Sequence, residues 1–248
     1  MNKAVILPSS IDRANYLRVK QIVGSSFTMN DTALRLEAVL SPSISSYQLE
    51  FSENKGSDRP SEQKLNHNDA FFITSIAVLL TRQDESTTPK RYGNYPLFTY
   101  PDPNYHNGDD TVNMKEYEAL ECLYNGTLTL NTSPVDRLVN FPINLYKVNP
   151  ERGFLVGAGT QPNSEFPQFG PSMEERGFFN HVPTIVLDGK SNNNIKLQLG
   201  HGDKAMIDGN VNSLNVAVNT RNVAVVLVRG INVINGATAA NRWSNDNL

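Results

Sequence analysis

Two stretches decide the reading of this chain: Ala70-Phe-Phe-Ile-Thr-Ser-Ile-Ala-Val-Leu-Leu-Thr81 and Asn222-Val-Ala-Val-Val-Leu-Val-Arg-Gly-Ile-Asn-Val-Ile234. Both are rich in β-branched and aromatic residues, and turn residues bound each of them. Each is long enough for a central strand buried on both faces, and little between them reads as helix. Early and late strands that are the most apolar imply a closed β-sandwich in which the two pair. Such a frame favours a structural or binding role over catalysis.

Further strands are expected at 33–40, 47–51, 127–130, 137–148, 184–187, 195–199, 204–207 and 213–218. Pro142 demotes the middle of 137–148 to an edge or a bulge, because proline gives the ladder no N–H. Asp188-Gly189 reads as a hairpin turn, and Asn125-Gly126 as the end of a short helical run over Glu116–Tyr124. The segments 83–113 and 149–183 read as long loops, the first dense in Tyr and Pro. Residues 1–30 read as an arm, 31–236 as the β domain and 237–248 as a tail, mobile or docked on a partner.

The bulk numbers fit a loop-rich all-β chain. Of 248 residues, 30 are Asn, 16 Gly and 14 Pro, the residues that turns use. The net charge of −3 gives no global basic field for nucleic acid. A single cysteine, Cys122, excludes an intrachain disulfide framework and reads as a small buried hydrophobe. No signal peptide is legible, because Pro8 follows the short run Ala4–Leu7 at once. No apolar run approaches the roughly 20 residues of a membrane-spanning helix. A chain made in a cytoplasm is expected.

The motif-like stretches of the chain each lack an essential member. His67, His106, His181 and His201 stand too far apart for a short-range zinc signature. Gly189-Lys-Ser191 ends like a phosphate-binding loop, but Thr184 stands where its first glycine belongs. Gly157-Ala-Gly159 begins a dinucleotide fingerprint, but Pro162 takes the third glycine's place. No Gly-x-Ser-x-Gly occurs. Asp109-Asp110 reads as a solvated acidic turn in preference to a calcium loop. No catalytic residue, cofactor or metal is therefore expected.

Two groups of residues are candidates for contact. Ile11, Ala14, Leu17 and Gln21 or Ile22 give the arm a weak helical stripe, and Arg13, Arg18 and Lys20 make it locally basic. These three cations are the candidate inner-surface contact, toward a genome or a lipid surface. Tyr92, Tyr95, Phe98, Tyr100 and Tyr105 form the second group, a loop suited to a subunit interface or to stacking on sugar rings.

Three segments carry a likeness to known proteins: Asp69-Ala-Phe-Phe-Ile-Thr-Ser-Ile-Ala-Val78, Thr99-Tyr-Pro-Asp-Pro103 and Glu118-Ala-Leu-Glu-Cys-Leu-Tyr-Asn-Gly-Thr-Leu128. They resemble viral jelly-roll capsid proteins, in particular structural proteins of tailless icosahedral phages of Bacteroidetes hosts. The likeness covers about the middle third of the chain. It implies eight strands in two facing sheets of order B-I-D-G and C-H-E-F. By that mapping 70–81 would be B, 222–234 would be I, 127–130 and 137–148 would be D and E, and 184–218 would fill F to H. A single barrel with an N-terminal arm is favoured over two stacked barrels.

The resemblance implies a virion protein that assembles with itself into capsomers, as trimers, alongside other virion proteins. It would contact genome or internal membrane through the arm. The competing readings are a carbohydrate-binding or receptor-binding β-sandwich, such as a phage spike, and a β-sandwich glycoside hydrolase or lyase.

Overall fold

The computed structural model describes residues 10–41, 44–53, 59–84, 96–102, 106, 116–132, 135–148, 177–200 and 220–246. The elements in chain order are α1 (Ser10–Val23), β1 (Met29–Val39), β2 (Ser46–Glu50), β3 (Ala70–Asp84), α2 (Glu116–Tyr124), β4 (Thr127–Thr132), β5 (Val135–Pro142), a short 3-10 helix (Ile143–Tyr146), β6 (Phe178–Asp188), β7 (Asn193–Gln198), β8 (Thr220–Val233) and α3 (Ala237–Asp246). The strands expected at 204–207 and 213–218 lie outside the described residues.

The strands form two antiparallel four-stranded sheets, β1-β8-β3-β6 and β2-β7-β4-β5. The fold is an all-β sandwich, as the sequence implies. Lettered B to I in chain order, the sheets read B-I-D-G and C-H-E-F, the order given above for the resemblance. The stretches 70–81 and 222–234 are neighbours in one sheet, paired from Ala70↔Val233 to Asp84↔Thr220. The described strands make one sandwich.

The strand lettering needs one correction. The 70–81 strand is third in the sandwich, not first, because β1 and β2 supply the first two. Both of these alternate: Leu34, Leu36 and Ala38 face the core from β1, and Tyr47 and Leu49 from β2. The later strands shift accordingly, so 127–132 and 135–142 stand fourth and fifth.

β3 is apolar without alternation because both its faces are covered. Phe71, Ile73, Ile76, Val78 and Leu80 point into the core between the sheets. Ala70 and Phe72 point outward to a second cluster, and Ala77 and Leu79 to a third. The inward parity changes from odd to even numbers because β3 bulges. Ile73 pairs Gly230 and Ser75 pairs Arg229, leaving Thr74 as an extra residue. The polar pair Thr74-Ser75 inside the apolar run marks the site. Opposite it, Gly230 leaves room for backbone: a Cβ there would lie 2.1 Å from the Phe72 carbonyl oxygen.

Three expectations are revised by connections. β5 stops at Pro142, and 143–146 continue as a 3-10 helix, not as strand. Pro142 stands on the edge strand of its sheet, where its missing N–H disturbs no second ladder. Asp188-Gly189 does turn the chain: the Asp188 carboxylate accepts the Lys190 N–H at 3.0 Å. The turn makes no hairpin, however, because β6 and β7 lie in opposite sheets. Gly189 donates its N–H to the Asp69 carbonyl, and a Cβ there would strike the backbone of Asn66, His67 and Asp69. Finally, 178–183 belong to β6 and not to a loop.

The tail does not stand free. α3 packs on β6 and α1, and Asn241 donates to the Asp188 carboxylate at 2.7 Å. α1 lies on the same outer face, with Val19 and Val23 buried against Phe72, Ile231, Val233 and Ala240.

The bulge makes a specific prediction. Deleting Thr74 lets every residue of β3 keep its face, so the variant is expected to fold. Deleting Val78 turns the residues after it to the wrong faces, and that variant is expected not to fold. Urea denaturation of both variants checks this.

Candidate functional site

The two open sides of the sandwich differ. On one side the edges are β1 and β2. The segment 59–65 runs along them: Arg35 and Gln63 exchange two backbone hydrogen bonds, and Leu65 N–H donates to the Phe51 carbonyl at 2.8 Å. The segment also brings charge to a buried acid. The Glu37 side chain is fully buried, with Arg35 Nε at 2.7 Å and Arg59 Nε at 3.3 Å, and Gln83 donates to it at 2.9 Å. Glu62 accepts the N–H of Glu37 at 3.1 Å and that of Arg59 at 2.9 Å. A carboxylate removed from water needs such partners. The edge is thus blunted by a covering segment and locked by ion pairs.

The other side carries β5 and β6, which adjoin where the rings of Phe141 and Phe179 stand 5.2 Å apart. Both strands are bulged. On β6, residues 181–184 stand between the partners of Ile73 and Ser75, opposite Thr74 alone. On β5, Val139 and Asn140 stand opposite Thr129. Asn140 takes φ +49°, a left-handed conformation that Asn tolerates, and its N–H donates to the Thr129 hydroxyl at 3.2 Å. Bulges of this kind stop a further strand from adding to an edge.

The bulges turn apolar side chains outward. Val182 is 91% exposed, Val139 63%, and Leu145 of the 3-10 helix 51%. Beneath them lies an aromatic cluster. His181 sits 5.4 Å from Phe141 and 5.3 Å from Phe179, and its Nε2 shares a 3.3 Å hydrogen bond with the Tyr146 hydroxyl. Burial lowers the His181 pKa and raises that of Tyr146, so both are held neutral. A neutral pair closed in by rings braces the bulges.

The Tyr-rich loop is built from within. Phe98 exchanges two 2.8 Å backbone bonds with Leu80, extending the ladder beyond the start of β6. Tyr100 donates to the Asp102 carboxylate at 2.5 Å, and its ring meets Phe98 edge-on at 6.2 Å. His106 is fully buried against Phe98, and the Asp102 N–H donates to its Nδ1 at 3.1 Å. Burial, with the nearby Arg82 charge, pushes the His106 pKa down to about 3. Of the five aromatics singled out in sequence, Phe98 and Tyr100 are therefore half-buried members of a packed cluster. Tyr92, Tyr95 and Tyr105 lie outside the described residues.

Arg13, Arg18 and Lys20 are all exposed on α1. The stripe expected from Ile11, Ala14 and Leu17 is corrected: the helix buries Val19 and Val23, with Ile22 half-buried, and turns Ala14 and Leu17 outward. Cys122 is buried, and burial pushes its thiol up to about 12, which leaves it unreactive. Among the described residues no three His, Cys, Asp or Glu side chains converge as metal ligands, and no helix is long and apolar enough to cross a membrane. No family model, curated protein or solved structure matches this chain.

Sequence reasoning missed the cluster at 141, 146, 179 and 181, whose members come from two edge strands and a 3-10 turn. The pair Phe178-Phe179 followed by His181 and Pro183 is its trace in the sequence. The Glu37 network was also missed; the trace there is Arg35 and Glu37 alternating with Leu34 and Leu36.

The buried imidazole fixes a pH dependence. His106 has its folded pKa held below the unfolded 6.5, so it binds its proton more readily when unfolded. The neutral ring's contribution is whole above about pH 6.5 and is lost as pH falls toward about 3. His106→Gln is expected to flatten this fall, by on the order of 5 kcal/mol across the window. Denaturation midpoints of parent and variant from pH 7 to 3 measure the difference.

Proposed function

We propose that this chain is a virion structural protein, a jelly-roll capsid subunit that assembles with copies of itself and with other virion proteins into a closed symmetric shell. The observation that carries the reading is the unequal treatment of the two sandwich sides. The β1–β2 side is covered by 59–65 and locked through Glu37, whereas the β5–β6 side presents Val139, Leu145 and Val182 to solvent. Apolar side chains on an edge that rejects strand addition suit side-chain contact with a neighbour of defined geometry. The sequence likeness to phage capsid proteins and the strand order B-I-D-G against C-H-E-F support the same reading.

The work of such a subunit is geometric. Apolar area buried between copies, worth about 25 cal/mol per Å² before entropic costs, would drive assembly. A rigid edge braced by Phe141, Tyr146, Phe179 and His181 would fix the angle between neighbours, and a ring of three would be the capsomer.

Light scattering and negative-stain microscopy on the purified chain, alone and with its other virion proteins, test this. Capsomers or particles are expected. Val182→Asp, joined to Val139→Asp, should raise the concentration needed for assembly by about tenfold or more while the melting temperature holds. A chain that stays monomeric at every concentration, with and without its partners, would sink the shell reading.

A further inference from the structure

We infer that α1 is a docking surface for an anionic lipid bilayer. Val19 and Val23 fasten one side of the helix to the outer face of the β1-β8-β3-β6 sheet, beside α3. That leaves the remaining arc of the helix to solvent. Arg13, Tyr16, Leu17 and Lys20 follow i, i+3, i+4, i+7 spacing, with Tyr16 at the margin next to Val23 and Arg18 beyond Leu17 on the far side. All five are exposed, Leu17 at 49% and Tyr16 at 43%.

Charge chooses an anionic partner. The segment Ser10–Val23 holds three cations and one acid, Asp12, in a chain whose net charge is −3. The apolar pair chooses lipid over nucleic acid. A phosphate backbone is met by Lys and Arg alone, and exposed leucine contributes nothing to it. At a bilayer surface Leu enters the acyl boundary, Tyr sits at headgroup level, and long cationic side chains reach outward to lipid phosphates. Leu17 standing between Arg13 and Arg18, with Tyr16 beside Lys20, matches that division of labour. One copy binds weakly by this means, and many copies held in one shell would bind by avidity. The inference rests on the shell reading only for the idea that this face looks inward. Vesicle binding by the free chain is measured apart from assembly, so the two fail separately.

Flotation of the full chain with vesicles of phosphatidylcholine and phosphatidylglycerol in equal parts, and with phosphatidylcholine alone, provides the test. Binding to the anionic vesicles only is expected, weakening as salt rises. Neutralising each cation should weaken it about fivefold, so that R13Q/R18Q/K20Q loses on the order of a hundredfold. Tyr16→Ser with Leu17→Ser, which leaves every charge in place, should lose about tenfold. Because all five side chains are exposed, an unchanged melting temperature confirms that each variant folds. Failure to float with anionic vesicles overturns the inference. So does binding to a duplex or single-stranded DNA oligonucleotide at the same salt that falls in the charge variant and is untouched by the Tyr16/Leu17 variant.

Discussion

The ladder between β3 and β8 holds the rest of the molecule in place. It pairs residues 70–84 with residues 220–233, so the chain closes on itself across about 150 residues of intervening sequence. β1 and β6 then add to its two sides, and the second sheet packs on its inner face. Both of its own faces are buried. Leu80, Ala224 and Val226 look into the sandwich, while Phe72, Ile231 and Val233 look out to α1 and α3. A strand covered on both faces has no polar side, which is why both segments read as unbroken apolar runs. The helices follow from the same fact, because an outer face carrying Phe72 and Val233 must be covered by something apolar.

That dependence explains how much of the fold the residues disclose. Strand positions follow from β-branched runs bounded by turn residues, and the β3–β8 pairing follows from which runs are most apolar. Sheet membership does not. Asp188-Gly189 has the chemistry of a turn, and it does turn, with the Ser191 hydroxyl donating to the Asp188 carboxylate at 3.1 Å. Nothing in two residues says whether the next strand pairs with the last or crosses to the opposite sheet. The crossing depends on Gly189 meeting the backbone of 66–69, a contact made more than a hundred residues away in sequence.

The misread face of α1 has a related cause. Its apolar residues fall on more than one side: Val19, Ile22 and Val23 on one, with Tyr16 at its exposed margin, and Leu17 on another. Periodicity alone cannot rank two stripes of similar strength. The sheet decides by offering Phe72 and Ile231 as partners, and the stripe left over becomes visible as a surface. Legibility in the sequence and exposure at the surface run in opposite directions here. Residues that satisfy the pattern are spent on the core, and those that violate it remain outside.

The same logic separates the two edges. Strand edges invite pairing, and a chain proposed to meet copies of itself must prevent open-ended addition while permitting one defined contact. On the β1 side, Glu37 needs Arg59 from the covering segment, so exposing this edge would leave a carboxylate buried without one of its cations. That side is closed by electrostatics. On the β5–β6 side the backbone itself is bent out of ladder geometry at Asn140 and at 181–184, with rings packed behind. Bent backbone cannot accept a strand, but exposed valines can accept a surface. A sandwich sealed on one side and apolar on the other has a direction, and direction is what a subunit needs to join neighbours in rings instead of aggregates.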